Sequence, residues 1–451
     1  MTETWLSMTA ADLGRGIAAA KIDPVDLCEQ YLKAIDTHRY STRIYARTTK
    51  TRARAEALAA SRRAKQGVRR GLLDGVPISW KDLYDTAGTL TEAGSALLTG
   101  RLPDRDAKVL ANATRAGLVC LGKTHMTELA FSGLGLNPVT QTPPNVFDPD
   151  LAPGGSSSGA ATSVGFGLAA AGIGSDTGGS VRIPATWNNL VGLKTTSGLL
   201  SLDGVVPLCD KFDTVGPLCR SVEDAGLLLA AMQGVAASDL GHPPLQGRHF
   251  AVLETVAMED CRDTPLMDFE AALEKLAISG AKITRIKIPA VAQAMPLSTC
   301  LYTAQAYAQW GQEIEAEPEK MYPPIKARFE AGQQFSAVQY LRDWQKLDLL
   351  RKAYLAATAA FDAVLIPSSA ILPPNRERLL DDEDYFTREN LLALRNTRIG
   401  NLMGLCAITL PTGTNGCGIM AMANPFTEAK LLQMAAAMER CVGTTHPTSD
   451  I

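Results

Sequence analysis

Two serines of this chain stand among glycines in a way that few turns require. Ser156 lies in Gly154-Gly155-Ser156-Ser157-Ser158-Gly159, and Ser180 follows 24 residues later in Gly174-Ser175-Asp176-Thr177-Gly178-Gly179-Ser180. Flanking glycines let the backbone approach a substrate closely and adopt conformations that a Cβ would forbid. A nucleophile with backbone N–H donors beside it needs that freedom. A serine hydroxyl is a weak nucleophile at neutral pH and requires a base to take its proton. The five histidines, His38, His125, His242, His249 and His446, all lie outside glycine-rich contexts. Lys81 instead follows the apolar run Val76-Pro77-Ile78-Ser79-Trp80, which should bury it. Burial disfavours an ammonium and yields the neutral amine that can act as a base. The chemistry implied is acyl transfer by a serine with a lysine as its base.

Two other glycine-rich devices fit less well. Gly155-Ser156-Ser157-Ser158-Gly159 matches the Gly-x-Ser-x-Gly nucleophile elbow with Ser157 at its centre. An elbow follows a buried strand, whereas Asp148 to Pro153 carries two prolines and reads as a loop. The elbow also leaves Thr177 to Ser180 without a role. The phosphate-binding pattern Gly-x-x-x-x-Gly-Lys-Ser/Thr is absent.

These groups must be positioned by larger elements. The first seventy residues read as a helical arm, with Val25, Leu27, Cys28, Tyr31, Leu32 and Ile35 at helix-face spacing after Pro24. From Leu72 onward short apolar runs alternate with glycine and proline: 76–80, 118–122, 168–175 and later 363–367. Strands alternating with helices imply an α/β sandwich, one sheet between helical layers. Residues 301–345 concentrate eight aromatics, among them Tyr302, Trp310, Tyr340 and Trp344, which either line a pocket or fill helix contacts. Residues 371–390, with Pro373-Pro374 and the acidic run Asp381 to Asp384, read as a polar rim loop.

Composition excludes several classes. Forty-four basic against 47 acidic residues, interspersed, leave no footprint for nucleic acid or an anionic membrane. The one basic cluster, Arg62, Arg63, Lys65, Arg69 and Arg70, reads as a solvated helix face and loop. Nine scattered cysteines without a Cys-x-x-Cys argue for reduced thiols and against a zinc site. With no signal-peptide pattern and no apolar run of spanning length, the expected location is cytoplasmic. The length exceeds a usual single domain, although large α/β enzymes break that rule.

The segment from Gly154 to Pro184, together with Leu72 to Asp82 upstream, resembles the amidase signature family of serine hydrolases. The resemblance extends from about Leu13 to Met438 and implies the family's mixed central sheet between helical layers. It thus implies one amidase domain over 1–451, with an arm at 1–70, a catalytic core at 72–220 and a variable pocket region at about 255–395. It implies Lys81 as base, Ser156 as a serine held by a cis peptide bond and Ser180 as nucleophile. In that relay Ser156 bridges Lys81 to Ser180 and returns the proton to the leaving amine. The backbone N–H groups of Thr177, Gly178, Gly179 and Ser180 would form the oxyanion hole. Ser157 would support the site, and Asp176 and Arg182 would orient the nucleophile rather than touch substrate. Phe131, Ser132 and Gly133 match a stretch bordering the acyl pocket, although a plain turn is an equal reading. Tyr302 and Trp310 are candidate pocket residues. His125 reads as a satisfied loop histidine. Arg395 and Arg398 read as solvated, with a substrate carboxylate as the alternative.

The expected activity is hydrolysis of an amide-type C–N bond in an amide, carbamate or urea-like small molecule, without metal or cofactor. The alternatives are an amidotransferase A-type subunit that releases ammonia from glutamine in a complex, and a non-catalytic scaffold. A homodimer is expected from the resemblance alone. Fold and triad do not choose the substrate.

Overall fold

The computed structural model describes residues 3–241 and 243–443. His242 and His446 lie outside the described residues. Among the described residues, 11 strands form one sheet. In chain order the strands are β1 (Tyr45–Thr48), β2 (Pro77–Lys81), β3 (Val119–Thr124), β4 (Ala171–Ser175), β5 (Val191–Lys194) and β6 (Val215–Cys219). They continue with β7 (His249–Leu253), β8 (Lys282–Ile286), β9 (Ala363–Pro367), β10 (Cys406–Pro411) and β11 (Gly418–Ala423). Their spatial order is β1-β3-β2-β4-β6-β5-β10-β11-β9-β7-β8. The sheet is mixed: β3, β2 and β4 run parallel, as do β9, β7 and β8, while the strands between them pair antiparallel. The four apolar runs read from the sequence all contribute strands.

Central strands β2, β3, β4, β5, β6, β9, β10 and β11 are buried along their whole length. Helices therefore cover both faces, as the continuous apolar runs require. The helix expected after Pro24 spans Pro24–Thr37, capped by Asp23, whose side chain accepts from the Val25 N–H. It buries Leu27, Cys28, Tyr31, Leu32 and Ile35. Among the described residues, no helix is long and apolar enough to cross a membrane.

Two sequence expectations are corrected. The N-terminal seventy residues are not wholly helical, because β1 adds an antiparallel edge to β3. Four residues are too few for a strand period to declare itself. Residues 371–390 are not a rim loop either: helices occupy Arg376–Asp381 and Glu383–Leu402. The acidic run that suggested a loop starts the second of these. Asp382 accepts a hydrogen bond from the Tyr385 N–H, and Glu383 and Asp384 sit in the first turn, where the helix dipole favours negative charge.

Candidate active site

Lys81 ends β2, an interior strand between β3 and β4, and is fully buried. Its Nζ donates to Ser156 Oγ at 2.6 Å and to Ser175 Oγ at 2.7 Å. Burial pushes the amine down from 10.5 to about 7, against the opposing pull of the Asp213 and Asp176 carboxylates. A large fraction of neutral amine at neutral pH follows. This is what a base for a serine proton needs.

β4 lies parallel to β2 and ends at Ser175, so the chain leaves the sheet beside Lys81 and enters the turn Asp176 to Ser180. The backbone N–H groups of Thr177, Gly178, Gly179 and Ser180 donate to no acceptor among the described residues. Four free donors in a row are available to a developing oxyanion. Gly179 has φ +141°, and a Cβ there would lie 2.1 Å from Thr397 Oγ1, so the turn excludes any larger residue. Ser180 lines the cavity described below. Its hydroxyl forms no hydrogen bond to Ser156 or to any other described residue, so only the Lys81–Ser156 half of the expected relay is closed.

Ser156 and Ser157 precede the helix Ser158–Gly165, and the Gly155–Ser156 bond is cis. Ser157 laces the two serine segments together. Its N–H donates to the Ser180 carbonyl at 3.2 Å, while its Oγ donates to the Ser175 carbonyl and accepts from the Ser175 N–H. Asp176 and Arg182 form a fully buried pair with contacts of 2.9 and 2.8 Å. Burial alone would raise the Asp176 carboxyl, but the guanidinium overrides it and holds it at about 2. Arg182 also donates to the Thr397 carbonyl and to Asn401 Oδ1, tying the Ser180 turn to the helix Glu383–Leu402. Neither residue lines the cavity.

The sequence reading missed two polar groups here. Ser175 is the second acceptor for Lys81: it stands inside the glycine-rich segment of Ser180, but nothing in that segment marks its side chain as a lysine partner. Asp213 is buried and accepts from Thr177 Oγ1 at 2.5 Å and from the Leu208 and Cys209 N–H groups at 2.9 and 3.0 Å. Burial raises its carboxyl and these donors oppose that shift. It reaches the site because β6 pairs antiparallel with β4, with Ser175 opposite Val215, and the pairing continues outward as Asp176 against Thr214. No local sequence signal marks such a non-local neighbour.

A cavity of about 220 Å³ opens beside Ser180, Thr177 and Gly178. Phe131, Ser132 and Tyr302 line it, as expected. Gly133 and Trp310 do not. The Gly133 N–H is taken by Asn390 Oδ1 at 2.9 Å. Trp310 stands eight residues beyond Tyr302 on the helix Leu297–Ala316, about 12 Å further along the axis. Its Nε1 donates to the Pro207 carbonyl instead. Most of the 301–345 aromatics fill contacts between elements, as in the Phe212–Tyr302 and Phe212–Trp344 pairs at 4.4 and 5.0 Å.

Arg398 lines the cavity and is half-buried, not a solvated surface group. Arg395 turns away and donates to the Ala257 carbonyl and to Asn396 Oδ1. Arg328, which the sequence reading did not single out, lines the cavity beside Arg398, its guanidinium 4.6 Å over the Phe131 ring. His125 is buried in a loop, with its N–H on the Ile44 carbonyl.

The family model described as Amidase matches residues 26–432 of this chain. The chain is similar to 2-amino-5-chloromuconic acid deaminase of Comamonas testosteroni, with 32% identity over 94% of this chain and 93% of the relative. It is 30% identical to the A-type subunit of glutamyl-tRNA(Gln) amidotransferase from Anaeromyxobacter dehalogenans over 96% of each chain. Its fold superposes on the peptide amidase of Stenotrophomonas maltophilia with a TM-score of 0.82 and 26% identity, covering 98% of this chain and 99% of that one.

Proposed function

This chain belongs to the Amidase family and is an amidase, a hydrolase of carbon–nitrogen bonds other than peptide bonds, and on that premise we propose the route by which it works. Ser180 Oγ attacks the amide-type carbonyl. Its proton passes through the Ser156 hydroxyl to the neutral amine of Lys81. The oxyanion that develops is held by the free N–H groups of Thr177, Gly178, Gly179 and Ser180. As the C–N bond breaks, the proton returns from Lys81 through Ser156 to the departing nitrogen, so that ammonia or an amine leaves. Water then attacks the Ser180 ester by the same relay, the acid is released and Ser180 regains its proton.

The observation that carries this reading is the buried Lys81 amine, lowered to about 7 and 2.6 Å from Ser156 Oγ. Ser157, Asp176 and Arg182 act by holding the two serine segments in place, and Asp213 does the same for Thr177. The cavity is smaller than the roughly 300 to 1,000 Å³ of pockets for drug-sized ligands, which favours a small substrate. Cysteine usage favours a cytoplasmic location.

Relatives that serve as the A component of an amidotransferase give a second reading, release of ammonia from glutamine for a partner protein. Glutamine carries an α-ammonium group that needs an anion. No carboxylate is among the described residues lining the cavity, which favours free-standing hydrolysis. The test is ammonia or amine release from a panel of amides, an anilide, a carbamate, glutamine and a carboxylated urea, with wild type beside Ser180→Ala. Turnover that vanishes in the variant supports the proposal. A folded wild type that is silent across the panel, or a variant as active as wild type, refutes it.

A further inference from the structure

The cavity contains two cations with nothing to neutralise them. Arg328, on the helix Pro323–Glu330, and Arg398, on the helix Glu383–Leu402, both line it together with Ser180. Among the described residues, neither guanidinium takes part in an ion pair or hydrogen bond. The polar lining otherwise consists of hydroxyls and backbone. Arg328 Nε is buried without a hydrogen-bond partner, as is the hydroxyl of Tyr302, which lines the same cavity. Arg398 is near enough for its charge to reach Arg328: burial first, and then Arg398, lower Arg328 to about 10. It remains a cation at neutral pH.

Such an arrangement is costly in an empty cavity. A half-buried cation that lacks a counter-ion loses hydration without recovering it, and a second like charge on the same cavity makes the cost greater. The most deeply buried cations among the described residues find partners. Arg182 pairs with Asp176 and Lys123 with Asp82, while Arg220 is surrounded by carbonyls. Arg376 also lacks a side-chain partner among the described residues, but it does not line the cavity, whereas Arg328 and Arg398 lie on the same cavity as Ser180. A guanidinium presents a planar fork of donors that fits a carboxylate better than it fits a neutral amide, and the Tyr302 hydroxyl supplies one more donor.

We propose that the substrate is a small amide-type acid, bearing at least one carboxylate that Arg328 and Arg398 bind while Ser180 attacks its C–N carbonyl. This rests on the hydrolase reading for the location of the scissile bond. Phe131 and Leu394 provide the apolar wall against which the body of the molecule lies. The two arginines act as specificity residues: they recognise the end of the substrate that does not react.

The test compares acid and neutral isosteres. Succinamate is paired with succinamide, glutaramate with glutaramide, and 4-carbamoylbenzoate with terephthalamide, and Ser180-dependent kcat/KM is measured for each. The proposal expects preference for the acid of about a hundredfold or more in at least one pair, as expected for a desolvated charge pair. Arg398→Gln and Arg328→Gln should each reduce that preference at least tenfold, and Arg→Lys at the same positions should restore part of it. An equal or greater rate on the neutral partner throughout overturns the carboxylate while leaving Ser180 hydrolysis intact.

A second readout needs no turnover and guards against a misfolded variant. Labelling of Ser180 by a fluorophosphonate is followed in wild-type protein with succinate, glutarate or terephthalate as competitor. Protection that is absent with the matching diamides supports the proposal. Labelling unaffected by every acid overturns it, whereas failure of Ser180 to label at all strikes the hydrolase reading itself.

Discussion

Lys81 offers a sharp test because its proposed role and its stability cost have one cause. The amine has an ordinary value of 10.5 and is held at about 7 when folded, in a fully buried position. Below pH 7 the lysine is charged in both states, and the folded protein bears the whole penalty. As pH rises from 7 toward 10.5 the unfolded chain also loses its proton and the penalty disappears. At about 1.4 kcal/mol per pH unit, that penalty is about 5 kcal/mol at pH 6 and about 2 kcal/mol at pH 9. Lys81→Met removes it, together with the hydrogen bonds to Ser156 and Ser175, worth about 1 kcal/mol each. The variant should therefore be inactive yet more stable than wild type, by about 3 kcal/mol at pH 6 and almost nothing at pH 9. Reversible urea unfolding of both proteins across this range reads the difference, and the other titrating groups, common to both, cancel. A gap that stays constant with pH, or a variant less stable at pH 6, would refute a depressed Lys81.

Three further outcomes follow from the same geometry. With the neutral amine as base, log kcat/KM should rise with unit slope up to about pH 7 and level above it, a profile that a rate-versus-pH series at fixed ionic strength checks. Arg182→Met should leave Asp176 as an uncompensated buried charge and cost about 3 to 5 kcal/mol, readable as a lowered denaturant midpoint. Gly179→Ala should drive a Cβ into Thr397, and circular dichroism with kinetics should show a kcat loss of at least about a hundredfold in a chain that retains its secondary structure.

What the sequence disclosed follows the range of the interactions involved. Lys81, Ser156 and Ser180 could be chosen as candidates because each sits in a local pattern, a buried apolar run or a glycine-flanked serine. The central strands were legible because their apolar runs are continuous. Ser175 and Asp213 were not, since their proximity to Lys81 and Thr177 depends on which strands pair, and pairing leaves no local mark. Arg328 and Arg398 look like ordinary helix-surface arginines in one dimension. Only the packing of two helices far apart in sequence turns them into one cavity wall. The acidic stretch at 381–384 misled for the opposite reason: polar residues were counted as loop when their position made them a helix start.

The most direct test of the central claim is to identify the residue that becomes acylated. Wild-type protein is mixed with a slowly deacylating aryl ester or fluorophosphonate, quenched, digested and mapped by mass spectrometry. The account predicts a single adduct on Ser180, formed faster as pH rises through 7 and slowed at least a hundredfold in Lys81→Met. An adduct on Ser156 or Ser157, or labelling indifferent to Lys81, would contradict it.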